Sequence, residues 1–201
     1  MLKLSNPIKY TEEEKSFIAN VLKPLQGEGW DDQKNKTKAI KSRINQHTLT
    51  EQKHRCAYCE SFLLEGADPI DHIAPKSLYG EFTFEPYNLV KACTSCNNKP
   101  HKGENDTIKH PEDRNEYSNN TFSIVHPYFD DPDDHLKYAD DDKIIFDKNK
   151  CSEEGLATIE MFHWEEPWAI AQRLINAKTR DLLPEELENI ANIITYKERN
   201  T

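Results

Sequence analysis

The sequence has no long apolar run. No stretch approaches the roughly 18 to 20 apolar residues that a membrane-spanning helix needs, and Lys3, Lys9 and Glu12 carry charge where a signal peptide would be apolar. We therefore expect a soluble, cytoplasmic protein with no membrane partner. In that reducing compartment the 5 cysteines are expected to be thiolate ligands or buried thiols, not a disulfide framework.

The chain also lacks the surplus of positive charge that is typical of a nucleic-acid-binding protein. Its net charge is -10, and the acidity is concentrated: residues 111–170 carry 16 acidic and 5 basic side chains, whereas residues 1–50 carry 6 acidic and 9 basic ones. Without a broad basic face, tight unaided binding to duplex DNA is not expected. A partner, or a metal ion bridging to phosphate, would have to supply the attraction.

No internal repeat or low-complexity tail is present, and the length suits one compact body. We expect it to comprise an N-terminal helical segment (1–52), a central core (53–110), and an acidic, loop-rich segment with C-terminal helices that pack on the core (111–201). The expected fold class is α+β.

Helix signals are clearest near the N-terminus. Thr11 followed by Glu14 forms a capping-box pattern and predicts a helix to about Lys23, before Pro24. A turn is expected over residues 26–30. A second, basic helix is predicted from about Lys36 to Gln52, with the inward-facing residues Ala39, Ile40, Ile44 and His47.

The rest of the chain predicts short strands, loops and closing helices. Apolar clusters at residues 62–64 and 70–73 favour strands, and a hairpin is expected around Lys143 to Asp147. Two helices are predicted to close the fold, one from Glu153 to Asn176 and one from Pro184 to Ile194.

Four cysteines form two C-x2-C pairs, Cys56 with Cys59 and Cys93 with Cys96, separated by 33 residues. Two chelating pairs of soft thiolates suit tetrahedral zinc, and because four thiolates leave no open position the zinc should be structural. A redox C-x-x-C would need only one pair, and accidental core cysteines are the other alternative. Cys151 stands apart and is expected to be an ordinary thiol.

Between and after these pairs lie residues suited to phosphodiester hydrolysis. His72 can take a proton from water, and the Asp71 carboxylate and the Asn97 amide oxygen can hold Mg2+ or Mn2+, which prefer oxygen ligands. Each has an ordinary alternative: Asp71 as a turn cap, His72 as a structural histidine, and Asn97 as a helix cap. Asn88 alone would be a turn residue or N-cap. Only their joint order favours catalysis.

The segment from Cys56 to Lys102 resembles the His-Asn-His (HNH, or ββα-metal) endonuclease family. The resemblance rests on the cysteine pairs, on Asp71-His72-Ile73-Ala74-Pro75, on Asn88-Leu89-Val90 and on Cys96-Asn97-Asn98-Lys99. It implies a treble-clef-like ββα-metal zinc core wrapped by N- and C-terminal helices. It also implies that Asn88 ties a loop that orients His72. Asn97 is expected at the start of a helix, with Lys99, His101 and Lys102 on the next helical turn. Of the two lysines, Lys99 is expected to contact phosphate in preference to Lys102.

The flanks extend the resemblance to the HNH effectors called PtuB, of the Septu and some retron anti-phage systems. These flanks are Met1 to Leu4, the Cys56 to Glu60 knuckle, and the segment His126 to Leu136. This implies a PtuA-type ABC ATPase as partner, together with a retron reverse transcriptase and its DNA-RNA product in retron versions. A second metal site at His126 to His135 is the alternative to a solvated turn there.

Two further alternatives remain open. A non-catalytic zinc module that binds a protein or nucleic acid would keep the cysteines without using His72. An enzyme could cut RNA, such as tRNA, in place of DNA, because the expected metal site contacts mainly phosphate.

Overall fold

The protein combines short helices with one small antiparallel sheet, as seen in a computed structural model that describes residues 1–63, 68–109, 117 and 122–179. The six α-helices of this part are α1 (Glu12–Phe17), α2 (Asn35–Glu51), α3 (Thr94–Asn97), α4 (Pro132–His135), α5 (Glu153–Met161) and α6 (Pro167–Thr179). The two strands are β1 (Ile70–His72) and β2 (Leu89–Lys91). The predicted α+β class is confirmed.

Helix α1 begins at the predicted capping box. The Thr11 hydroxyl accepts a hydrogen bond from the Glu14 backbone N–H, and the Glu14 carboxylate accepts one from the Thr11 N–H. The α-helix itself ends at Phe17, and the helical turn that follows it ends at Leu22, next to the predicted end at about Lys23. A π-helical turn (Ile18–Leu22) and a 3-10 stretch (Lys23–Asp31) follow, because proline is tolerated in a first helical turn. The expected turn becomes a kink at Gln26, whose φ is 52°.

Helix α2 matches its predicted bounds within one residue at each end. Its inward face is formed by Thr37, Ile40, Ile44, Thr48 and Leu49. The prediction for Ala39 was wrong: this residue is exposed, because the buried stripe follows the four-residue spacing of Ile40, Ile44 and Thr48, and Ala39 lies about 100° away from it. His47 is half-buried, with Nε2 2.8 Å from the Asn6 carbonyl oxygen.

The sheet pairs β1 with β2 in the register Ile70 with Lys91, Asp71 with Val90, and His72 with Leu89. The Gln52 side chain fastens α2 to this sheet, since its amide donates to the Lys91 carbonyl at 2.8 Å and accepts from the Lys91 N–H at 2.7 Å. The expected strand at residues 62–64 is reduced to one bridge between Phe62 and Arg55. Leu64 lies outside the described residues.

The predicted helix from Glu153 to Asn176 was wrong, because two helices, α5 and α6, occupy this range. The chain breaks at residues 162–166, where His163 has a φ of 51° and the buried rings of Phe162 and Trp164 stack at 5.2 Å. Pro167 then opens α6, a position where its missing N–H costs nothing. The predicted helix from Pro184 to Ile194 lies outside the described residues.

Before α5, the chain forms a turn close to the expected hairpin. Tyr138 and Phe146 form an antiparallel bridge, and the Ala139 N–H donates to the Ile145 carbonyl at 2.8 Å. None of the helices in the described ranges is long and apolar enough to cross a membrane.

Two hydrophobic clusters surround the sheet. The larger contains Cys56, Tyr58, Ile73, Val90 and Phe162, and joins the central segment to α5 and α6. The smaller packs the N-terminal helices on the other side, with Leu22, Ile40, Ile44, Phe84 and Leu89. The sheet and the turns that follow its strands are therefore held from both sides.

Candidate functional site

The four cysteines of the two C-x-x-C pairs meet in one place. The sulfur atoms of Cys56, Cys59, Cys93 and Cys96 lie within 4.8 Å of one another, and those of Cys59 and Cys93 are 3.6 Å apart. Zinc–sulfur bonds of about 2.3 Å in a tetrahedron place sulfurs about 3.8 Å apart, so the donors fit zinc in chemistry and in spacing. This cluster could hold a zinc ion.

The pKa values of these thiols shift in different directions: burial raises the pKa of the Cys56 thiol, and hydrogen bonds with the other cysteines raise that of Cys96. Hydrogen bonds from the neighbouring cysteines, Cys56 first, lower the pKa of the Cys93 thiol, so the cluster favours a thiolate there. The same sulfur accepts the Cys96 N–H and thereby caps α3. Cys151 lies apart, half-buried, with its thiol facing the carbonyl groups of Lys137 and Asp147.

An open cleft of about 340 Å³ lies beside β1. Its lining includes the four predicted residues Asp71, His72, Asn97 and Lys99. Trp30, from the N-terminal 3-10 stretch, forms part of the wall, and Lys76 lines the rim and pairs with Asp31 at 2.9 Å. The structure thus brings residues of the central segment and of the N-terminal segment to one cleft.

The His72 ring is buried with a fixed orientation. Its Nε2 lies 3.0 Å from the backbone carbonyl of Thr83, and since a carbonyl only accepts, Nε2 carries the hydrogen and Nδ1 keeps a lone pair. Burial lowers the pKa of His72 to about 3, so the ring is neutral at neutral pH. The Trp30 ring packs edge-on at 4.6 Å and restricts its movement.

Asn88 does not line the cleft but lies behind it, fully buried. Its side-chain oxygen accepts from the Ala74 N–H at 2.7 Å, and its NH2 group donates to the carbonyls of Ala74 at 3.1 Å and Phe82 at 2.9 Å. Phe82 precedes Thr83, whose carbonyl holds His72. Asn88 therefore connects the end of β1 with the turn that fixes the imidazole.

A second pair of side chains supports Asn88. The Tyr117 hydroxyl donates to the Asn88 side-chain oxygen at 2.8 Å and lies 3.1 Å from Nε2 of His126. Nδ1 of His126 accepts the Tyr128 N–H, so Nε2 is the donor to Tyr117. His126 is buried and satisfied within the protein, which leaves no metal-ligand role for it in this arrangement.

Asp71 is 5% exposed and is held on both oxygens. Oδ2 accepts the Tyr58 hydroxyl at 2.5 Å, and Oδ1 lies 3.0 Å from Nζ of Lys102. Burial raises the pKa of the Asp71 carboxyl, while Lys102 acts in the opposite direction. Asp71 and Lys102 thus form a buried ion pair at the wall of the cleft.

The predicted divalent-cation site fits in donor type. Asp71 offers carboxylate oxygens, and the Asn97 amide makes no hydrogen bond within the described part of the chain. Both are oxygen donors, as Mg2+ and Mn2+ prefer. The charge of Asp71, however, is already balanced by Lys102.

The chain after Cys96 differs from the expectation. Helix α3 ends at Asn97, which is therefore not at a helix start, and Lys99, His101 and Lys102 are not on a following helical turn. Pro100 explains this, because it disfavours helical geometry at the preceding residue and lacks an N–H. Lys99 is 75% exposed at the cleft and lies 3.7 Å from Glu104.

Sequence reasoning missed Trp30, Tyr58 and Tyr117, and it considered Lys102 only as a phosphate contact, ranked below Lys99. Lys102 is fully buried and cannot reach a bound phosphate. Pro100 was the available signal, since a chain that reverses there returns the next lysine to the core. No local signal marks Trp30, which reaches the cleft through the kink at Gln26.

A comparison with protein families matches the segment that carries these residues. Residues 56–103 match the family model of HNH endonucleases. The matched range holds all four cysteines, Asp71, His72, Asn88 and Asn97, and it supports a ββα-metal core and a nuclease-type function. A comparison with curated proteins gave no match.

Proposed function

We propose that this protein is a metal-dependent HNH endonuclease that hydrolyses phosphodiester bonds in nucleic acid. The observation that carries the proposal is the convergence of Asp71, His72 and Asn97 on one open cleft inside the matched HNH range. The adjacent cysteine cluster would hold structural zinc, since four thiolates leave no position for a reacting water.

In this proposal His72 is the general base. Its Nδ1 takes a proton from a water molecule whose oxygen bonds to phosphorus; the bond from phosphorus to the leaving 3'-oxygen breaks, and that oxygen takes a proton from solvent. Without substrate, burial lowers the pKa of His72 to about 3. A bound phosphodiester anion favours the protonated ring and so raises this pKa. Asn88 keeps the ring oriented through the turn at Phe82 and Thr83.

Asp71 and Asn97 would hold Mg2+ or Mn2+, which would neutralise charge on phosphorus oxygens and stabilise the leaving oxygen. Lys99 is the proposed phosphate contact because it is exposed at the cleft, and Lys76 at the rim adds positive charge. These groups contact phosphate, which DNA and RNA share. The substrate is therefore nucleic acid, with DNA first and tRNA or other RNA as the alternative.

We further propose that the biological setting is anti-phage defence together with a PtuA-type ABC ATPase and, in a retron version, a reverse transcriptase with its DNA-RNA product. The support is the likeness of the flanks to PtuB and the acidity of residues 111–170. An acidic face can dock on a basic partner surface. The acidic segment Asp130, Asp131, Asp133 and Asp134 is the expected docking site. We expect association to be lost when Asp133 and Asp134, which are exposed, are neutralised. Asp130 accepts the His126 N–H at 2.7 Å and Asp131 caps α4, so these two are left unchanged in the test.

A non-catalytic zinc-binding interaction module is the second candidate. It is favoured by one observation, namely that both oxygens of Asp71 already have protein partners. In that case His72→Ala would leave function intact, whereas Cys93→Ser would remove it with the fold.

The decisive experiment measures cleavage of plasmid DNA and of total RNA by the zinc-loaded chain with Mg2+, Mn2+ or EDTA. We expect metal-dependent cutting that falls by at least about a hundredfold in His72→Ala. His47→Ala is the matched control, because His47 lies on α2 and does not line the cleft. Full cutting by His72→Ala would refute the mechanism. A folded wild type that stays inactive even with a PtuA-type ATPase would favour the interaction module.

A further inference from the structure

Lys102 is a fully buried lysine directly beside the cleft. Its Nζ lies 3.0 Å from Asp71 Oδ1 and 2.7 Å from the His72 carbonyl oxygen, and its side chain is 0% exposed. A buried ammonium is tolerated only where it is paired and hydrogen-bonded. Asp71 supplies the negative charge that this lysine needs.

The two contacts on Asp71 come from the two arms of the cysteine cluster. Tyr58 stands between Cys56 and Cys59 and donates to Oδ2, while Lys102 follows Cys96 and binds Oδ1. The Tyr58 hydroxyl is neutral, whereas the Lys102 ammonium is charged, and both bind the same carboxylate. The position of Asp71 is therefore fixed twice, but its charge is balanced only by Lys102.

This arrangement affects the metal that the proposed function requires. A divalent cation at Asp71 must share the carboxylate with an ammonium that is fixed within hydrogen-bond distance of it. Like charges at such short range repel strongly where water is excluded. The ammonium cannot swing into solvent without leaving the His72 carbonyl as well.

We propose that Lys102 is a built-in cation that competes with the divalent metal for Asp71 and keeps the affinity of the cleft for that metal low. This inference rests on the proposed function, since it takes Asp71 as a metal ligand. It assigns Lys102 a role in metal loading and none in phosphate binding. Metal occupancy would then respond to whatever draws Lys102 away from Oδ1, such as a shift of the turn at residues 98–103.

The test is a titration of the zinc-loaded chain with Mn2+, followed by the electron paramagnetic resonance signal of free Mn2+. This readout does not depend on cleavage. Lys102→Met removes the charge and keeps an unbranched side chain, and we expect it to tighten Mn2+ binding by at least about tenfold. Tyr58→Phe is the matched control, because it removes the other contact on Asp71 without changing any charge. We expect it to change the affinity by less than about threefold.

Asp71→Asn separates this proposal from the proposed function. If Asp71→Asn leaves Mn2+ binding unchanged, the metal site itself is wrong. If Asp71→Asn abolishes the binding but Lys102→Met leaves the affinity unchanged or weaker, only the role of Lys102 is overturned.

Loss of Lys102 leaves the buried Asp71 carboxylate without a positive charge to balance it, so the variant can fail to fold without metal. Lys102→Gln, which keeps a hydrogen-bond donor, is then titrated in its place. If neither variant folds alone, refolding with Mn2+ decides: recovery of structure supports the proposal, because the metal replaces the missing cation, and no recovery contradicts it.

Discussion

The amide of Asn88 is engaged at every hydrogen-bonding position, twice as an acceptor and twice as a donor. Asn88→Ala would remove the hydrogen bonds that Asn88 makes to the Ala74 N–H and carbonyl, the Phe82 carbonyl and the Tyr117 hydroxyl, at about 1–3 kcal/mol for each buried group that is left unpaired. We expect a clear loss of unfolding free energy and a fall in kcat with little change in KM, since the phosphate contacts remain. Steady-state cleavage kinetics and urea unfolding measure both quantities.

Tyr117→Phe is the graded control for that prediction. It removes the hydroxyl that donates to the Asn88 oxygen and accepts from Nε2 of His126, and Asn88 keeps its bonds to the backbone. We expect a loss of about 1–3 kcal/mol of unfolding free energy, because the buried His126 N–H also loses its acceptor, and a smaller fall in kcat than in Asn88→Ala. A variant Asn88→Ala that cleaves at the wild-type rate would show that this amide does not orient His72.

At the residue scale, the order of motifs was enough to group Asp71, His72, Asn97 and Lys99, which line one cleft. Their roles stay predictions. The burial of Lys102 could not be predicted from the sequence, because it depends on the chain turning back after α3 and on the carboxylate of Asp71, 31 residues away in sequence. Local patterns indicate which groups exist, whereas ion pairs of this kind depend on the assembled core.

At the scale of elements, we expect the zinc-bound cysteine cluster, and not the small sheet, to be the main link between the short elements of the central core. Strands β1 and β2 have three residues each and α3 has four, so hydrogen bonding alone holds them weakly. Zinc would join the turn after α2, which carries Tyr58 to Asp71, to α3, which leads to Asn97 and Lys99 at the cleft.

Cys93→Ser tests this connection. It removes a thiolate and the group that caps α3, so we expect less than one equivalent of zinc and a lower unfolding temperature. Zinc content by atomic absorption and thermal unfolding by circular dichroism give the result. Cys151→Ser should keep full zinc content, because Cys151 is outside the cluster. Equal zinc content in both variants would mean that Cys93 is not a ligand.

Elements were predictable where local chemistry decides them. The capping box of α1 and the spacing of Ile40 and Ile44 in α2 gave bounds close to the structure. The break between α5 and α6 could not be predicted from local patterns, because residues 162–166 leave the helix to place Phe162 and Trp164 in a common core. The π-helical turn after α1 likewise has no local signal that we can identify.

At the scale of the whole molecule, the N-terminal helices and the C-terminal segment meet the central core from opposite sides. Trp30 reaches the cleft from the first, and His126 supports Asn88 through Tyr117 from the second. The candidate site therefore depends on parts of the chain outside the matched range 56–103. A change that destabilises the contacts between these segments should therefore also disturb the geometry of the site.

Acid conditions test that dependence through His126. Burial lowers the pKa of His126 to about 3 in the folded protein, whereas an unfolded histidine has a pKa of about 6.5. Between these values the unfolded chain binds a proton that the folded chain does not, so stability is lost as the pH falls below about 6.5. Between pH 7 and pH 5 the loss is about 2 kcal/mol for this histidine.

Urea unfolding at pH 7 and pH 5 measures this loss, and His126→Gln isolates it, because glutamine does not titrate. We expect the variant to be less stable at pH 7 but to lose about 2 kcal/mol less than the wild type on acidification. Half-buried Glu85, whose pKa is raised by the burial it has, acts with the opposite sign but is present in both proteins. Equal losses in the two proteins would mean that His126 is protonated, or exposed, in the folded state, and the link from His126 through Tyr117 to Asn88 would fall with it.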